Sequence, residues 1–407
     1  MSECAKDELI SKEALNIGQI EGRDKVTFDD KAICRNVLKI ESLEGDFIKG
    51  QPNGPIKLSF LDGSFAKANF KHGVLHGLYV GYWCKFGPCD LLELEAWRKP
   101  RHLREISVYH KGQRVGASFE FKIGGGFVAG LVDQQGQLTG PKLSYVYPDL
   151  ETMLVGQFDK GQLVSGLQAE LLDLEPSENG LKLPTHKFKG QKRPFKLSIS
   201  TKNSMGADPL LRDPMEDKYL FVSNSTLANA GRGIFMKIKA NKGQTVGFYN
   251  GVRMPDLESK IRLEDRKSPY RMDNDWATPK EILNIPEEFR SEDKYNATLG
   301  HLINHSQTPN CWYAMIDHPR FGKIRSIVLL QDVEANDELF VDYGYVEQYA
   351  QSETAIKTIY EVSKFLSGKN DEDFHADMKY QIKYLKKKVE DYKPYIEMFK
   401  NVANLIK

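Results

Sequence analysis

The N-terminal half of the chain is patterned in short blocks. An apolar or aromatic residue, two variable positions, a glycine, three more positions and a second glycine or small residue recur at Phe47/Gly50/Gly54, Phe70/Gly73/Gly77, Tyr109/Gly112/Gly116 and, more loosely, Phe158/Gly161/Ser165. Gly136 and Gly140 keep the glycine pair without the aligned aromatic. The first two copies lie 23 residues apart and Gly112 lies 24 before Gly136, a period that predicts stacked hairpins. Each unit is then a strand, a glycine-bearing turn and a return strand, too small to bury its apolar face unless a neighbour covers it. The stretch 84–107, rich in Leu, Glu and Arg, breaks the glycine pattern and reads as a decayed or embellished copy.

Past residue 173 the pattern changes. Residues 174–217 are rich in Lys, Pro and polar side chains and read as a connection with short strands. From 218 to 345 short β-type runs alternate with turns, and 346–407 reads as a helical tail. In that tail Met378, Ile382, Leu385, Val389, Tyr392, Ile396, Phe399, Ala403 and Ile406 follow alternating steps of four and three, a heptad seam. Pro394 kinks or divides the helix. The seam packs either on its own chain or against a partner or second copy. The predicted fold is mainly β: an N-terminal segment (1–35), an antiparallel repeat sheet (36–173), the connection, a second β-rich domain (218–345) and the tail.

Length allows two or three domains with real cores, since the chain has 407 residues. Charge narrows the partner: 57 Lys and Arg against 56 Asp and Glu leave no domain-wide basic surface for duplex DNA, so a protein partner is expected. The five cysteines, at 4, 34, 84, 89 and 311, are scattered and odd in number, which suits a reducing compartment and provides no zinc-ligand cluster. No apolar signal core opens the chain and no run approaches about 18 apolar residues, so a soluble intracellular protein is expected. The sequons at Asn224, Asn296 and Asn304 carry little weight in that setting.

Four segments carry candidate chemistry. The run from Ala228 to Met236 (ANAGRGIFM) is a glycine-bearing turn entering an apolar strand; such glycines let backbone amides approach a ligand closely. Val246-Gly247-Phe248-Tyr249-Asn250-Gly251 puts a tyrosine on a strand just before a turn. Asn304-His305-Ser306 precedes Pro309-Asn310-Cys311, and about 30 residues later comes Glu338-Leu339-Phe340-Val341-Asp342-Tyr343-Gly344-Tyr345. Alone, an Asn-His-Ser run is an ordinary polar turn. The four in this order resemble the SET-domain protein lysine methyltransferases, and the glycine-paired units resemble MORN repeats; an antiparallel sheet with glycine turns and no repeat ancestry would have the same architecture.

The resemblance to the MORN-repeat SET enzymes covers about residues 40–345. It implies a knot-like core binding S-adenosylmethionine on one face, admitting a lysine from the other, and requiring no metal. Methyl transfer is an in-line displacement that needs a neutral amine in a dry, aligned channel; a phenol suits it, because the ring excludes water while the hydroxyl orients an amine. By resemblance Tyr343 lies nearest the reacting methyl. Tyr249, Tyr313 and Tyr345 line the channel, the first two leaving room mainly for monomethylation. Ala230, Gly231 and Arg232 hold the methionine end of the cofactor, and Asn304 and His305 its amino group and adenine. His301 is expected to be a packing residue. The resemblance further implies a histone-tail or other nuclear protein substrate and a nuclear or chromosomal location, with a cytoplasmic share.

Departures from the pattern bear on substrate. Arg325 stands where a substrate-contacting lysine is expected, which changes hydrogen-bond geometry at constant charge. Lys260 lies near the place of an acidic substrate contact, and Arg232 replaces an acid. A C-terminal tryptophan that stacks on adenine is absent, with Tyr360 at a suitable spacing to substitute. The competing reading is a non-catalytic scaffold that recruits partners.

Overall fold

The structure, a computed structural model, describes residues 21–27, 40–61, 64–83, 103–190, 193–206, 208–255, 268–274 and 281–343. The chain divides into two compact units, residues 1–304 with 310–339, and residues 305–309 with 340–407. Tyr345, Tyr360, Lys260 and the heptad seam lie outside the described residues.

Among the described residues, the first unit begins as one antiparallel sheet of 13 strands, from Gly22–Thr27 to Phe195–Lys196. Twelve strands lie in the sheet in chain order, and Phe195–Lys196 pairs beside Gln162–Pro176. The sheet therefore continues beyond residue 173, taking in Lys182–Phe188 as well.

The glycine pairs explain the turns. Lys49-Gly50, His72-Gly73, Lys111-Gly112 and Lys160-Gly161 each have both residues at positive φ, between 47° and 79°, and each closes a two-residue hairpin. That is the type I′ turn, whose twist matches the flanking strands. The second glycines Gly54, Gly77 and Gly116 also have positive φ, and register breaks in those hairpins fall opposite them. Such bulges bend the strands and raise the local twist.

The turns also couple neighbours. The amide of Gly73 donates to Pro52 O (3.0 Å), that of Gly112 to Leu75 O (2.8 Å) and that of Gly161 to Leu138 O (2.9 Å). Each acceptor lies two residues past a preceding repeat glycine, Gly50, Gly73 or Gly136. Gly136 therefore belongs to the series although its own turn is not of the two-residue kind. Alternate residues point inward, so Leu43, Phe47, Ile56, Leu58, Phe70, Leu75 and Tyr79 merge into one buried cluster.

Beyond the sheet the elements are short. Leu220–Asn224 pairs with Arg232–Met236; Gly322–Leu329 lies between Thr245–Tyr249 and Cys311–His318; Glu281–Asn284 lies between Val252–Pro255 and Met272–Asn274. A helix, Pro214–Tyr219, starts at Asp213, whose Oδ1 accepts the amides of Met215 (3.0 Å) and Glu216 (3.2 Å), an N-cap with proline at the first helical position.

A buried polar knot joins this region to the repeat sheet. Asp213 Oδ2 accepts the hydroxyl of Tyr147, the residue just past the sheet strand Gly140–Val146, at 2.8 Å and faces His318 Nε2 at 3.1 Å. His318 Nδ1 accepts the amides of Arg320 (3.1 Å) and Phe321 (3.3 Å), so its hydrogen sits on Nε2, toward the carboxylate. Arg320 donates to the carbonyls of Leu211 and Asp208 and lies over the rings of Phe195 and Phe321. Burial and the nearby Asp213 charge push the Tyr147 phenol well above its ordinary range, so it stays a hydrogen-bond donor at any working pH.

In the second unit, Ser306 N donates to Val341 O at 3.0 Å.

Candidate active site

Two of the predicted channel tyrosines meet. Tyr249 closes the strand Thr245–Tyr249 and Tyr313 lies on Cys311–His318; their rings are 5.7 Å apart and nearly perpendicular, at 81°, the favoured edge-to-face arrangement. Each hydroxyl hydrogen is given to a backbone carbonyl: Tyr249 to Tyr270 O at 2.5 Å and Tyr313 to Gly300 O at 3.0 Å. Both phenols are thereby held in fixed orientations. Gly300 fits here because a Cβ would sit 2.6 Å from Phe248 O and 2.9 Å from Tyr249 Cβ.

Arg325 is the cross-strand partner of Tyr249. Its Nε and Nη2 both donate to Asp273 O, at 3.0 and 2.6 Å, so the guanidinium is oriented before any substrate arrives.

The glycine turn is organised by a carboxylate. Glu338 Oε1 accepts Ser225 Oγ (2.7 Å) and Asn304 Nδ2 (3.1 Å); Oε2 accepts the amide (2.7 Å) and hydroxyl (2.6 Å) of Thr226. Burial raises the pKa of this carboxyl, but the bonds from Thr226, Ser225 and Asn304 outweigh it and hold it below its ordinary value. Asn304 Nδ2 also donates to Arg232 O at 3.0 Å, and Asn310 Nδ2 to Glu338 O at 2.8 Å. With both amide hydrogens so used, Asn304 offers a ligand its carbonyl oxygen. A Cβ on Gly233 would lie 2.1 Å from Glu338 Oε1, which explains the glycine there.

Ala230 and Gly231 lie at the lip of this turn. Gly231 is exposed at φ 71°, with nothing within 4 Å of the place a Cβ would take, so a ligand can lie against its backbone. The side chain of Arg232 points away to Glu292 at 2.8 Å, while its carbonyl holds Asn304. In the second unit, His305 Nδ1 accepts the amide of Tyr343 at 3.1 Å and the rings are 5.4 Å apart. Asp342 Oδ1 lies 3.7 Å from the same nitrogen. His301 is buried, and its burial lowers its pKa to about 4, so it is a neutral packing ring.

Two acids gain importance that the sequence reading does not give them. Glu338 stands in a run singled out for its tyrosines, and the partners of its carboxylate lie 34 to 113 residues away, so no local spacing reveals it. Glu216 had a signal: Asp213-Pro214-Met215-Glu216 has the form of a capping box. In that box Glu216 would return to the Asp213 amide, yet that amide donates to Ala297 O at 3.0 Å. Glu216 turns inward instead, where Oε1 accepts Phe248 N at 2.8 Å and both oxygens lie 3.0 Å from Leu299 N.

Comparison with known proteins matches residues 109–180 to the family model described as "Histone H3 K4-specific methyltransferase SET7 N-terminal" and residues 231–344 to the SET domain model. The chain is 32% identical over 237 residues to Histone-lysine N-methyltransferase SETD7 of Halocynthia roretzi, 58% of this chain and 60% of that protein; it spans about three fifths of the length of that relative. Among solved structures, the apo ctPRC2 assembly with a mutated Ezh2 aligns over 31% of this chain and 15% of that one at 21% identity and a TM-score of 0.25. Residues 231–344 are thus similar to SET domains, and residues 109–180, within the repeat sheet and its last turn, are similar to the SET7 N-terminal family.

Proposed function

We propose that this chain is an S-adenosylmethionine-dependent protein lysine methyltransferase that places mainly one methyl group on a lysine of a histone tail or another nuclear protein, and works in the nucleus. The observation that carries this reading is the pair formed by the buried Tyr249 and the half-buried Tyr313 within the segment that matches the SET domain, both hydroxyl hydrogens committed to backbone carbonyls. A lysine amine approaching such a pair meets two oriented phenols, whose rings exclude water. The printed name of the Halocynthia relative, a histone-lysine N-methyltransferase, supports the same class.

The residues suit the cofactor. Open backbone at Gly231 and the Asn304 carbonyl oxygen fit the zwitterionic end of a methionine group. When bound, S-adenosylmethionine supplies a methyl group on a sulfonium. Ala230, Gly231 and Arg232 are assigned to its methionine end through their backbone, and Asn304 and His305 to its amino group and adenine. Tyr343 is assigned the place nearest the reacting methyl, with Tyr249 and Tyr313 orienting the amine, and Arg325 the substrate contact beside Tyr249. Tyr345 and Tyr360, outside the described residues, keep their assignments as channel phenol and adenine support.

Purified full-length protein incubated with labelled cofactor and mixed histones or nuclear extract should label lysine, predominantly as monomethyl-lysine by mass spectrometry. Absence of both labelling and cofactor binding would reject the reading. Survival of cellular function in a Tyr343→Phe, His305→Ala double variant would favour a scaffold instead.

A further inference from the structure

We infer that Glu216 is a positioning residue that sets the channel phenols Tyr249 and Tyr313 from beneath, by holding the backbone on both sides of the pair. This rests on the proposed channel. Phe248, whose amide Glu216 binds at 2.8 Å, immediately precedes Tyr249. Leu299, whose amide lies 3.0 Å from both carboxyl oxygens, immediately precedes Gly300, and Gly300 O receives the Tyr313 hydroxyl at 3.0 Å. One carboxyl therefore fixes the strand that carries one phenol and the carbonyl that anchors the other.

The packing leaves Glu216 little freedom. It is fully buried, and a Cβ on Gly247 would sit 3.0 Å from Oε1 and 2.7 Å from Leu220 Cδ1. Among the described residues its hydrogen bonds run to these two backbone amides and to no cation. A glutamine in its place would turn an N–H donor toward at least one N–H donor, so the site is built for an acid. The helix is itself held: Asp213 caps it and takes the Tyr147 hydroxyl at 2.8 Å. A line of direct contacts thus runs from the repeat sheet through Tyr147, Asp213 and Glu216 to the phenol pair, giving the sheet a part in shaping the channel.

The carboxyl also titrates in an accessible range. Burial raises its pKa to about 8 against the opposing pull of the Leu299 and Phe248 amides. The ionisable groups facing it are Asp213, which raises it further, Arg212, which lowers it, and Tyr295, itself raised to about 12 by burial. Ionisation strengthens both amide bonds, so the grip on the pair tightens as pH rises through that value.

The test uses full-length protein with ring-13C-labelled tyrosine. The Tyr249 and Tyr313 resonances should shift together between pH 6.5 and 9.5 with a common midpoint near 8 in the wild type, and should not shift in Glu216→Gln. With a histone-tail peptide as acceptor, Glu216→Gln should lower kcat at least about tenfold with the donor KM unchanged, and Tyr147→Phe should lower it less. Resonances that do not move in the wild type, or a Glu216→Gln enzyme with wild-type kcat, would overturn the assignment. Should Glu216→Gln not fold, the wild-type titration decides alone. A wild type inactive on every acceptor refutes the methyltransferase reading and leaves the spectroscopic result standing.

Discussion

The repeat sheet and the SET domain hold themselves together in opposite ways. In the sheet the pairing is between chain neighbours: four two-residue turns join adjacent strands, and the turn glycines Gly73, Gly112 and Gly161 reach one unit back. In the SET domain the decisive bonds span long separations, with Glu338 reaching 112 and 113 residues to Thr226 and Ser225 and Glu216 reaching 83 to Leu299. A repeated local device spreads its energy over many copies. A long-range carboxylate concentrates it in one side chain, so single substitutions in the two regions should differ sharply in effect.

Glu338→Ala should show the contrast most strongly. It leaves the Thr226 amide and the Ser225, Thr226 and Asn304 donors without their acceptor, a loss of about 3 kcal/mol, read as a lower denaturant midpoint together with weaker binding of S-adenosylmethionine by calorimetry. Tyr343→Phe should leave stability within error and lower kcat by about a hundredfold, the cost of losing alignment in a displacement. Equal kcat for the two proteins would remove Tyr343 from the reaction.

pH offers a third measurement. Glu216 is raised from 4.5 to about 8, so the folded state holds a proton that the unfolded state has released, and stability falls as pH rises across that interval. His301, lowered from 6.5 to about 4, acts with the opposite sign, but only below 6.5. Between pH 6.5 and 8 Glu216 acts without it, and the unfolding free energy should drop by about 2 kcal/mol; Glu216→Gln should flatten that slope in urea titrations. The smallest effect belongs to the sheet. Lys49 occupies a left-handed position at φ 50°, which asparagine tolerates better, so Lys49→Asn should raise stability by roughly 0.5 kcal/mol in thermal unfolding.

The same contrast governs what the sequence reveals. The hairpins are legible because a Lys-Gly or His-Gly pair and a glycine four residues on are local instructions for a turn and a bulge. Gly136, which lacks the aromatic, still keeps its place in the bonding series. Tyr249 and Tyr313 are singled out by the motifs around them, and the structure brings their rings together. Glu338 escaped because nothing near it in the chain hints at Ser225 or Asn304. Glu216 escaped for a different reason: its local pattern indicates a helix start, and tertiary packing took the side chain elsewhere.

Since twelve strands enter the sheet in the order in which they are made, a nascent chain can zip each hairpin onto the last as it leaves the ribosome, with no strand waiting for a distant mate. Tyr147 would then stand ready on a finished platform when Asp213 emerges 66 residues later. Protease resistance of ribosome-stalled chains should accordingly grow in steps of one hairpin, well before residues 231–344 are synthesised.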